Sequence, residues 1–131
     1  MNEPDSIARV MRTEFLRLKP DTPIRRAVAD LVSSGETAAP VVDEAGHLIG
    51  IFTEKDCFAP ALQSAYYQTW TDTVTRYMTH EVVTLNAESG LITAAEAFHE
   101  TSFRAYPVQR DGNLVGMLTR SDLLAALLAF G

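Results

Sequence analysis

The stretch GIFTEKD at residues 50–56 decides the fold of this chain, because it recurs as GMLTRSD at residues 116–122. The glycine, the threonine and the aspartate of the first stretch each reappear 66 residues later in the second. A repeat is sought before any other feature, since it defines the unit from which a fold is built. The chain is therefore predicted to contain two copies of one structural unit.

The repeat continues upstream of these two stretches. APV at residues 39–41 matches YPV at residues 106–108, and Met11 matches Met78, all at an offset of 67 residues. The offset falls to 66 in a turn, where DEAGHLIG becomes RDGNLVG, and turns absorb such deletions at little cost. Chance rarely preserves the same order over so many positions. We therefore regard the duplication as real.

Length and repeat together define the organisation of the chain. The 131 residues, 47% of them apolar, fit one compact domain or two very small ones. We assign residues 1–61 to the first repeat, 62–76 to a connector and 77–131 to the second repeat. Repeats of about 60 residues are unlikely to be stable alone, so the two are predicted to form one module by burying their apolar faces on each other.

Each copy is predicted to run strand, helix, strand, strand, helix, which makes the fold class α/β, in the α+β sense. Apolar side chains at helical spacing mark the first helix of each copy, from Ile24 to Leu31 and from Leu91 to Phe98. A hairpin follows in each copy, and Asp111-Gly112 in the second is the strongest short hairpin signal. A further helix follows each hairpin.

The connector is notable for its aromatic residues. It carries Tyr66, Tyr67 and Trp70, and no run of glycine, proline or charge marks it as a flexible linker. We expect these side chains to pack into the core of the module. A contact in a dimer or a wall of a ligand site is the alternative.

Charge and composition exclude several classes of function. The chain has 11 basic and 17 acidic residues, a net charge of −6, and its longest basic run is Arg25-Arg26, so nucleic-acid binding is not expected. No stretch approaches the roughly 20 apolar residues that span a bilayer, and the amino terminus has acids where a signal peptide has bases. A single cysteine, Cys57, excludes an internal disulfide framework. We therefore expect a cytoplasmic protein with no membrane contact.

Residue types that carry catalysis or bind metal show no recognisable arrangement. His47, His80 and His99 lack the spacing of metal ligands. Cys57 has no CxxC partner and is predicted to be a buried structural thiol. No phosphate-binding loop, GxGxxG sequence or kinase motif is present. No catalytic residue, metal site or required cofactor is assigned, and the chain is not expected to be an enzyme.

Two interpretations of the repeated Gly-x-x-Thr-x-x-Asp motif stand side by side. In the first, Thr53 and Thr119 cap helices, while Asp56 and Asp122 reach back to the threonine amides as in a capping box. In the second, the helix start attracts an anion, the carboxylate accepts two ribose hydroxyls, and the glycine lets a ligand approach the strand. Both copies keep Gly, Thr and Asp, although Ser, Asn or Glu would cap comparably well. The retention of all three residues therefore favours the second interpretation, in which the ligand is an adenosine phosphate.

The duplicated motif, the Pro-Val strands and the glycine turns resemble a tandem pair of CBS (cystathionine β-synthase) domains, a Bateman module. The resemblance runs from about Val10 to Leu128, and VMRTEFLRLKPDTPIRRAV and YMTHEVVTL are typical openings of the two domains. It implies two domains packed sheet to sheet with pseudo-two-fold symmetry. It also implies clefts that bind adenosine-containing ligands such as AMP, ADP, ATP or S-adenosylmethionine, and a homodimer of modules.

The resemblance also implies roles for particular residues. The motif aspartates, Asp56 and Asp122, would hold ribose, and the motif threonines, Thr53 and Thr119, would contact ribose or phosphate. Backbone and apolar side chains beside the Pro-Val strands would hold the base, at Ala39, Val41, Tyr106 and Val108.

The resemblance implies a basic phosphate contact at Arg104, and two further basic residues lie near the helix starts; for all three, a solvated position without a ligand contact is the alternative. Arg104 stands three residues before Pro107, whereas its first-copy counterpart, Thr37, cannot neutralise phosphate. Lys55 and Arg120 lie inside the two motifs, near the helix starts. We therefore expect the two sites to be unequal.

The leading hypothesis is a regulatory module that binds an adenine nucleotide and signals by conformational or oligomeric change to an unidentified regulated protein. One alternative is a structural, dimerisation or partner-docking module that binds no nucleotide, its motifs serving only as helix caps. The other is a hydrolase acting on a bound nucleotide. It would need a general base or a metal, and the sequence indicates neither.

Overall fold

The computed structural model describes residues 6–129. Residues 1–5 and 130–131, which the predicted repeat bounds include, lie outside the described residues, as does part of the amino-terminal stretch used to argue against a signal peptide. The helices and strands, in chain order, are α1 (Ile24–Ser34), β1 (Ala38–Val42), β2 (Leu48–Thr53), α2 (Phe58–Tyr67), α3 (Val74–Tyr77), β3 (Leu85–Asn86), α4 (Leu91–Glu100), β4 (Ala105–Arg110), β5 (Asn113–Thr119) and α5 (Arg120–Leu128).

The mixture of helices and strands confirms the α+β class. The chain divides into two compact units, which we name by the copy of the motif that each contains. The first-copy unit comprises residues 16–82, and the second-copy unit comprises residues 6–15 together with 83–129. The leading segment of the chain thus belongs with the body of the second repeat. Between residues 6 and 129, no helix is long and apolar enough to cross a membrane.

The first-copy unit is built on an antiparallel hairpin of β1 and β2. Ala38 lies opposite Thr53, and Leu18 adds a parallel bridge to Val41 in place of a full first strand. Helix α1 covers the hairpin because its apolar stripe is buried there. The buried core of this unit consists of Leu18, Ile24, Ala27, Leu31, Ala39, Val41, Phe52, Val74 and Met78.

The second-copy unit has the same plan with a slightly longer first strand. Strand β3 pairs in parallel with β4, and β4 pairs antiparallel with β5. The β4–β5 turn is Asp111-Gly112, whose φ angles of 52° and 81° are both left-handed, as a tight hairpin of this type requires. The buried core of this unit consists of Ile7, Ala87, Leu91, Ala94, Val108, Leu118 and Leu123. The predicted order of elements is therefore complete in the second copy, whereas in the first copy the bridge at Leu18 stands in the place of the first strand.

The connector differs from the prediction in two ways. Helix α2 runs through the expected boundary at residue 61 and ends at Tyr67, and its C-cap, Gln68, has a left-handed φ of 61°. Trp70 packs against the first-copy core as expected. Tyr66 and Tyr67, however, are 79% and 71% exposed, so the expectation that they pack into the core is wrong. They occupy the last turn of α2, on faces that the hairpin does not cover.

Candidate functional site

The glycine of each motif is packed against a methionine. A Cβ atom on Gly50 would lie 2.5 Å from the Sδ of Met78, and a Cβ on Gly116 would lie 2.5 Å from the Sδ of Met11. Because the methionine fills the space that the glycine leaves, the expectation that this space admits a ligand is wrong. The close packing instead explains why a glycine and a methionine recur together in both copies.

The residue after each methionine is joined to the hairpin by a pair of backbone hydrogen bonds. The Arg12 amide donates to the Met117 carbonyl at 2.8 Å, and the Met117 amide returns a bond to the Arg12 carbonyl at 2.9 Å. Thr79 and Ile51 exchange the same two bonds in the first-copy unit, at 2.8 and 2.9 Å. Arg12 and Thr79 therefore occupy equivalent places, each beside the strand that leads into a motif.

In the first-copy unit the motif forms a complete capping box. The Asp56 amide donates to the Thr53 Oγ1 at 3.2 Å, and the Thr53 amide donates to the Asp56 Oδ2 at 2.9 Å. The two bonds of the capping-box interpretation are present, although Glu54 and Cys57, and not Thr53, are the N-caps of the elements that follow. The chain then makes a short 3₁₀ turn, Lys55–Cys57, before α2 begins. One oxygen of the Asp56 carboxylate is thus engaged by the motif's own backbone.

In the second-copy unit the same residue types make a different arrangement. Thr119 is the N-cap of α5, and its Oγ1 accepts from the Asp122 amide at 3.1 Å. The Asp122 carboxylate turns to Arg12, whose Nε donates to Oδ2 at 2.7 Å and whose Nη2 donates to Oδ1 at 3.4 Å. These hydrogen bonds lower the pKa of the Asp122 carboxyl below its usual value.

The charges beside the two motifs also differ. The Arg120 amide donates to the Arg104 carbonyl at 3.0 Å, and the Glu54 amide donates to the Thr37 carbonyl at 3.0 Å, so the two pairs occupy matching positions. The second-copy unit has two exposed arginines where the first-copy unit has a threonine and a glutamate. Lys55, also exposed, lies one residue further along. The second-copy motif, which leads directly into the α-helix α5, therefore also has more basic residues beside it than the first-copy motif.

The residues expected to hold a base are all buried. Ala39, Val41 and Val108 are 0% exposed, and Tyr106 is 1% exposed. Their role in holding a base stays a prediction, and it would require a ligand to reach positions that are buried in this structure. Both faces of β1 and β4 are covered here, since four consecutive residues of each strand are buried.

Tyr106 is fixed by its own neighbours. Its hydroxyl donates to the Ala97 carbonyl at 3.1 Å and lies 2.9 Å from the Thr101 Oγ1. Its ring meets those of Phe98 and Phe103 edge to face, at centroid distances of 4.8 and 5.4 Å. These contacts give the buried phenol both a polar partner and apolar packing, which is the usual role of a core tyrosine.

Other candidate side chains give no site. Cys57 is a free, partly buried thiol, whose Sγ donates to the Thr53 carbonyl at 3.5 Å. Burial, followed by the charges of Asp56 and Glu54, raises its pKa to about 11. His47 is exposed and pairs with Asp43 across 3.4 Å. In the part of the chain that the structure describes, no group of three or more potential metal ligands occurs.

Sequence reasoning missed Arg12. It lies 110 residues from Asp122 in the sequence, and the pair becomes visible only when the leading segment is placed on β5. A signal was nevertheless present, because the repeat aligns Arg12 with Thr79 at the offset that relates Met11 to Met78. The presence of an arginine in one copy and a threonine in the other was therefore a sequence signal for the pairing of Arg12 with Asp122.

The family model described as the CBS domain matches this chain twice, at residues 7–59 and 74–129. The chain belongs to the CBS-domain family. Its two matched segments form a tandem pair, as the sequence resemblance implied. The two structural units each contain one copy of the motif, in agreement with a pair.

Individual relatives support the same assignment. Uncharacterized protein MJ1404 of Methanocaldococcus jannaschii is 37% identical over 106 residues, which are 79% of this chain and 24% of that protein. The CBS domain-containing protein DDB_G0289609 of Dictyostelium discoideum is 28% identical over 131 residues, 93% of this chain and 90% of that protein. The chain thus spans about a quarter of the length of MJ1404.

Solved structures with the same fold include ligand complexes. CBSX2 from Arabidopsis thaliana has been crystallised with AMP, and that structure is similar to this chain with a TM-score of 0.83 and 30% identity, covering 96% of this chain and 98% of CBSX2. The CBS domain pair of MJ0100, solved with 5′-methylthioadenosine and S-adenosylmethionine, gives a TM-score of 0.83 at 21% identity, covering 98% of this chain and 99% of that one. The second likeness shows the fold alone.

Proposed function

We propose that this chain is a regulatory module that binds an adenosine-containing nucleotide. The observation that carries the proposal is the repeated Thr-x-x-Asp, which in the second-copy unit places a carboxylate and a hydroxyl at the first turn of α5. The AMP complex of CBSX2, a protein of the same family, supports the choice of ligand class. The preferred nucleotide, whether AMP, ADP, ATP or S-adenosylmethionine, follows from the test below.

The second-copy unit is proposed as the stronger site. Asp122 would accept the two ribose hydroxyls and Thr119 would contact ribose or phosphate. The positive end of the α5 dipole and the side chains of Arg104 and Arg120 would attract the phosphate. These local charges matter because the chain as a whole carries a net charge of −6.

The first-copy unit is proposed as the weaker site. Asp56 and Thr53 would play the same parts, with Lys55 as the phosphate contact. Here a ligand must compete with the bond between the Thr53 amide and the Asp56 carboxylate. Glu54 also stands where the second copy has Arg120, and its negative charge opposes a phosphate.

Signalling would follow from differential affinity. A nucleotide shifts the conformation of the module, or its binding to a regulated protein, only if it binds one state more tightly than the other. We propose no catalytic step for the chain. No general base is placed for one, and a cytoplasmic location remains our expectation.

A second candidate function, dimerisation or partner docking, is favoured by a separate observation. Phe58 and Leu62 on α2, and their repeat counterparts Leu124 and Leu128 on α5, are each more than half exposed. Apolar stripes at spacing i, i+4 commonly form interfaces between helices. We include a homodimer in the proposal for this reason.

Isothermal titration calorimetry with AMP, ADP, ATP, NAD and S-adenosylmethionine tests the proposal. Binding of at least one of them at micromolar concentration is expected. Absence of heat with every ligand up to about 1 mM would overturn it and leave docking as the function. Thr119→Ser and Asp122→Glu separate the two readings of the motif, because capping alone predicts that neither variant changes any measured property.

A further inference from the structure

The two motif carboxylates have different partners although their local sequences match. Each aspartate amide donates to the threonine Oγ1 of its own motif, at 3.2 Å for Asp56 and 3.1 Å for Asp122. The Asp56 carboxylate returns a bond to the Thr53 amide, whereas the Asp122 carboxylate pairs with Arg12. The two motifs thus share the bond from the aspartate amide to the threonine hydroxyl and differ in the partner of the carboxylate, and one source of this difference lies outside the motif.

The two units differ, outside the motif, in the residue that forms backbone hydrogen bonds to the hairpin: Arg12 in the second-copy unit and Thr79 in the first-copy unit. Arg12 and Thr79 make the same two backbone hydrogen bonds to the strand beside them, yet only arginine has a side chain long enough to reach a motif carboxylate with a cation. The Arg12 backbone is fixed by those bonds and by the packing of Met11 on Gly116. The guanidinium thus projects from an anchored position.

Resting on the proposed function, we propose that Arg12 is a positioning residue for the ribose site of the second-copy unit. It keeps the Asp122 carboxylate ionised at the first turn of α5 and turned from the Thr119 amide, which is the partner that the Asp56 carboxylate takes in the first-copy motif. An ionised carboxylate has about four acceptor positions, of which Arg12 uses two and the Thr119 side chain one, so one position remains for a ribose hydroxyl and a second hydroxyl would replace Thr119. The pair is also partly exposed, with side chains 46% and 27% accessible, so a ligand can reach it.

The absence of an arginine has the opposite consequence in the first-copy unit. There one oxygen of the Asp56 carboxylate accepts from the Thr53 amide, so the carboxylate is oriented by the motif backbone, and a ligand that needs this oxygen must compete with the bond. Arg12 thereby sets which of the two sites binds the nucleoside more tightly. An arginine at residue 79 would give the Asp56 carboxylate of the first-copy unit the same kind of partner that Asp122 has in Arg12.

Calorimetry with two probes, adenosine and AMP, tests this role. We expect Arg12→Ala to weaken binding of both probes at the second-copy site by a similar factor, about 3- to 10-fold, because Asp122 would fold back onto the Thr119 amide. Arg12→Lys should restore part of the affinity, since an ammonium can hold one carboxylate oxygen but not both. Arg26→Ala, on α1, removes the same charge from an exposed ion pair and serves as the matched control.

The two probes separate positioning from direct contact. If Arg12 touched the phosphate, its removal would weaken AMP and leave adenosine unchanged, and that result would overturn the inference. Unchanged or tighter binding of both probes by Arg12→Ala would overturn it as well. Thr79→Arg tests the inference by a gain of affinity, because it should strengthen adenosine binding at the first-copy site about 3-fold or more. Failure of the wild-type chain to bind either probe would instead refute the proposed function itself, and this inference with it.

Discussion

The packing of each motif glycine on a methionine predicts that Gly116→Ala destabilises the chain more than Gly50→Ala. At Gly50 the three atoms nearest an added Cβ all belong to the Met78 side chain, at 2.5, 2.8 and 3.0 Å. At Gly116 they are two Met11 atoms at 2.5 and 2.8 Å and the Arg12 carbonyl oxygen at 2.9 Å. A methionine side chain can move aside, whereas a backbone carbonyl held by a hydrogen bond cannot move without breaking it.

The magnitude follows from these neighbours. Overpacking that flexible atoms can relieve costs about 1 kcal/mol, and overpacking against backbone costs about 2–3 kcal/mol. For a chain of this size, about 1 kcal/mol lowers the melting temperature by roughly 3–5 °C. We therefore expect a decrease of a few degrees for Gly50→Ala and about twice to three times as much for Gly116→Ala.

Urea denaturation followed by circular dichroism measures both variants, and double variants locate the cause. Adding Met78→Ala to Gly50→Ala should recover most of the overpacking cost, because the only close atoms are removed. Adding Met11→Ala to Gly116→Ala should recover only part of it, since the Arg12 carbonyl remains. Equal stability of the wild type and Gly116→Ala, or a larger loss for Gly50→Ala, would refute this reasoning.

Three further predictions concern the thiol, the acid range and the exposed helices. Because the pKa of Cys57 is raised to about 11, its reaction with Ellman's reagent at pH 8 should be at least tenfold slower than that of a free thiol, and a rate equal to that of glutathione would contradict the structure. The lowered pKa of Asp122 contributes stability above pH of about 4 that is lost as the pH falls through the folded value. Thermal melts from pH 6 to pH 2 should therefore fall less steeply for Arg12→Ala than for the wild type, and parallel curves would show that the ion pair contributes nothing. Leu62→Asp with Leu124→Asp should lower the fraction of dimer in analytical ultracentrifugation, and a wild-type chain that is monomeric at about 100 μM would remove homodimerisation from the proposal.

Features encoded by short stretches of sequence were predictable. The α1 stripe predicted which side chains are buried, because helical periodicity alone brings Ile24, Ala27 and Leu31 to one face. The turn at Asp111-Gly112 was predictable because its left-handed φ angles are a local requirement that few residue pairs meet. The duplication then transferred each assignment from one copy to the other.

Features that depend on distant residues were not predictable in the same way. The glycines were interpreted as space for a ligand, because their methionine neighbours lie 28 and 105 residues away in the sequence. The partner of Asp122 was missed for the same reason. The edge-to-face packing of Tyr106 on Phe98 and Phe103 was not predicted either, because it depends on how α4 and the loop before β4 lie against the strand.

The titration of AMP into the wild type, Asp122→Ala and Asp56→Ala tests the central claim most directly. We expect the wild type to bind, Asp122→Ala to lose at least tenfold in affinity, and Asp56→Ala to lose less, because one oxygen of its carboxylate is already engaged by the Thr53 amide. Circular dichroism on the same samples controls for folding. A wild type that binds no AMP up to about 1 mM, or two folded variants that bind as tightly as the wild type, would contradict the account.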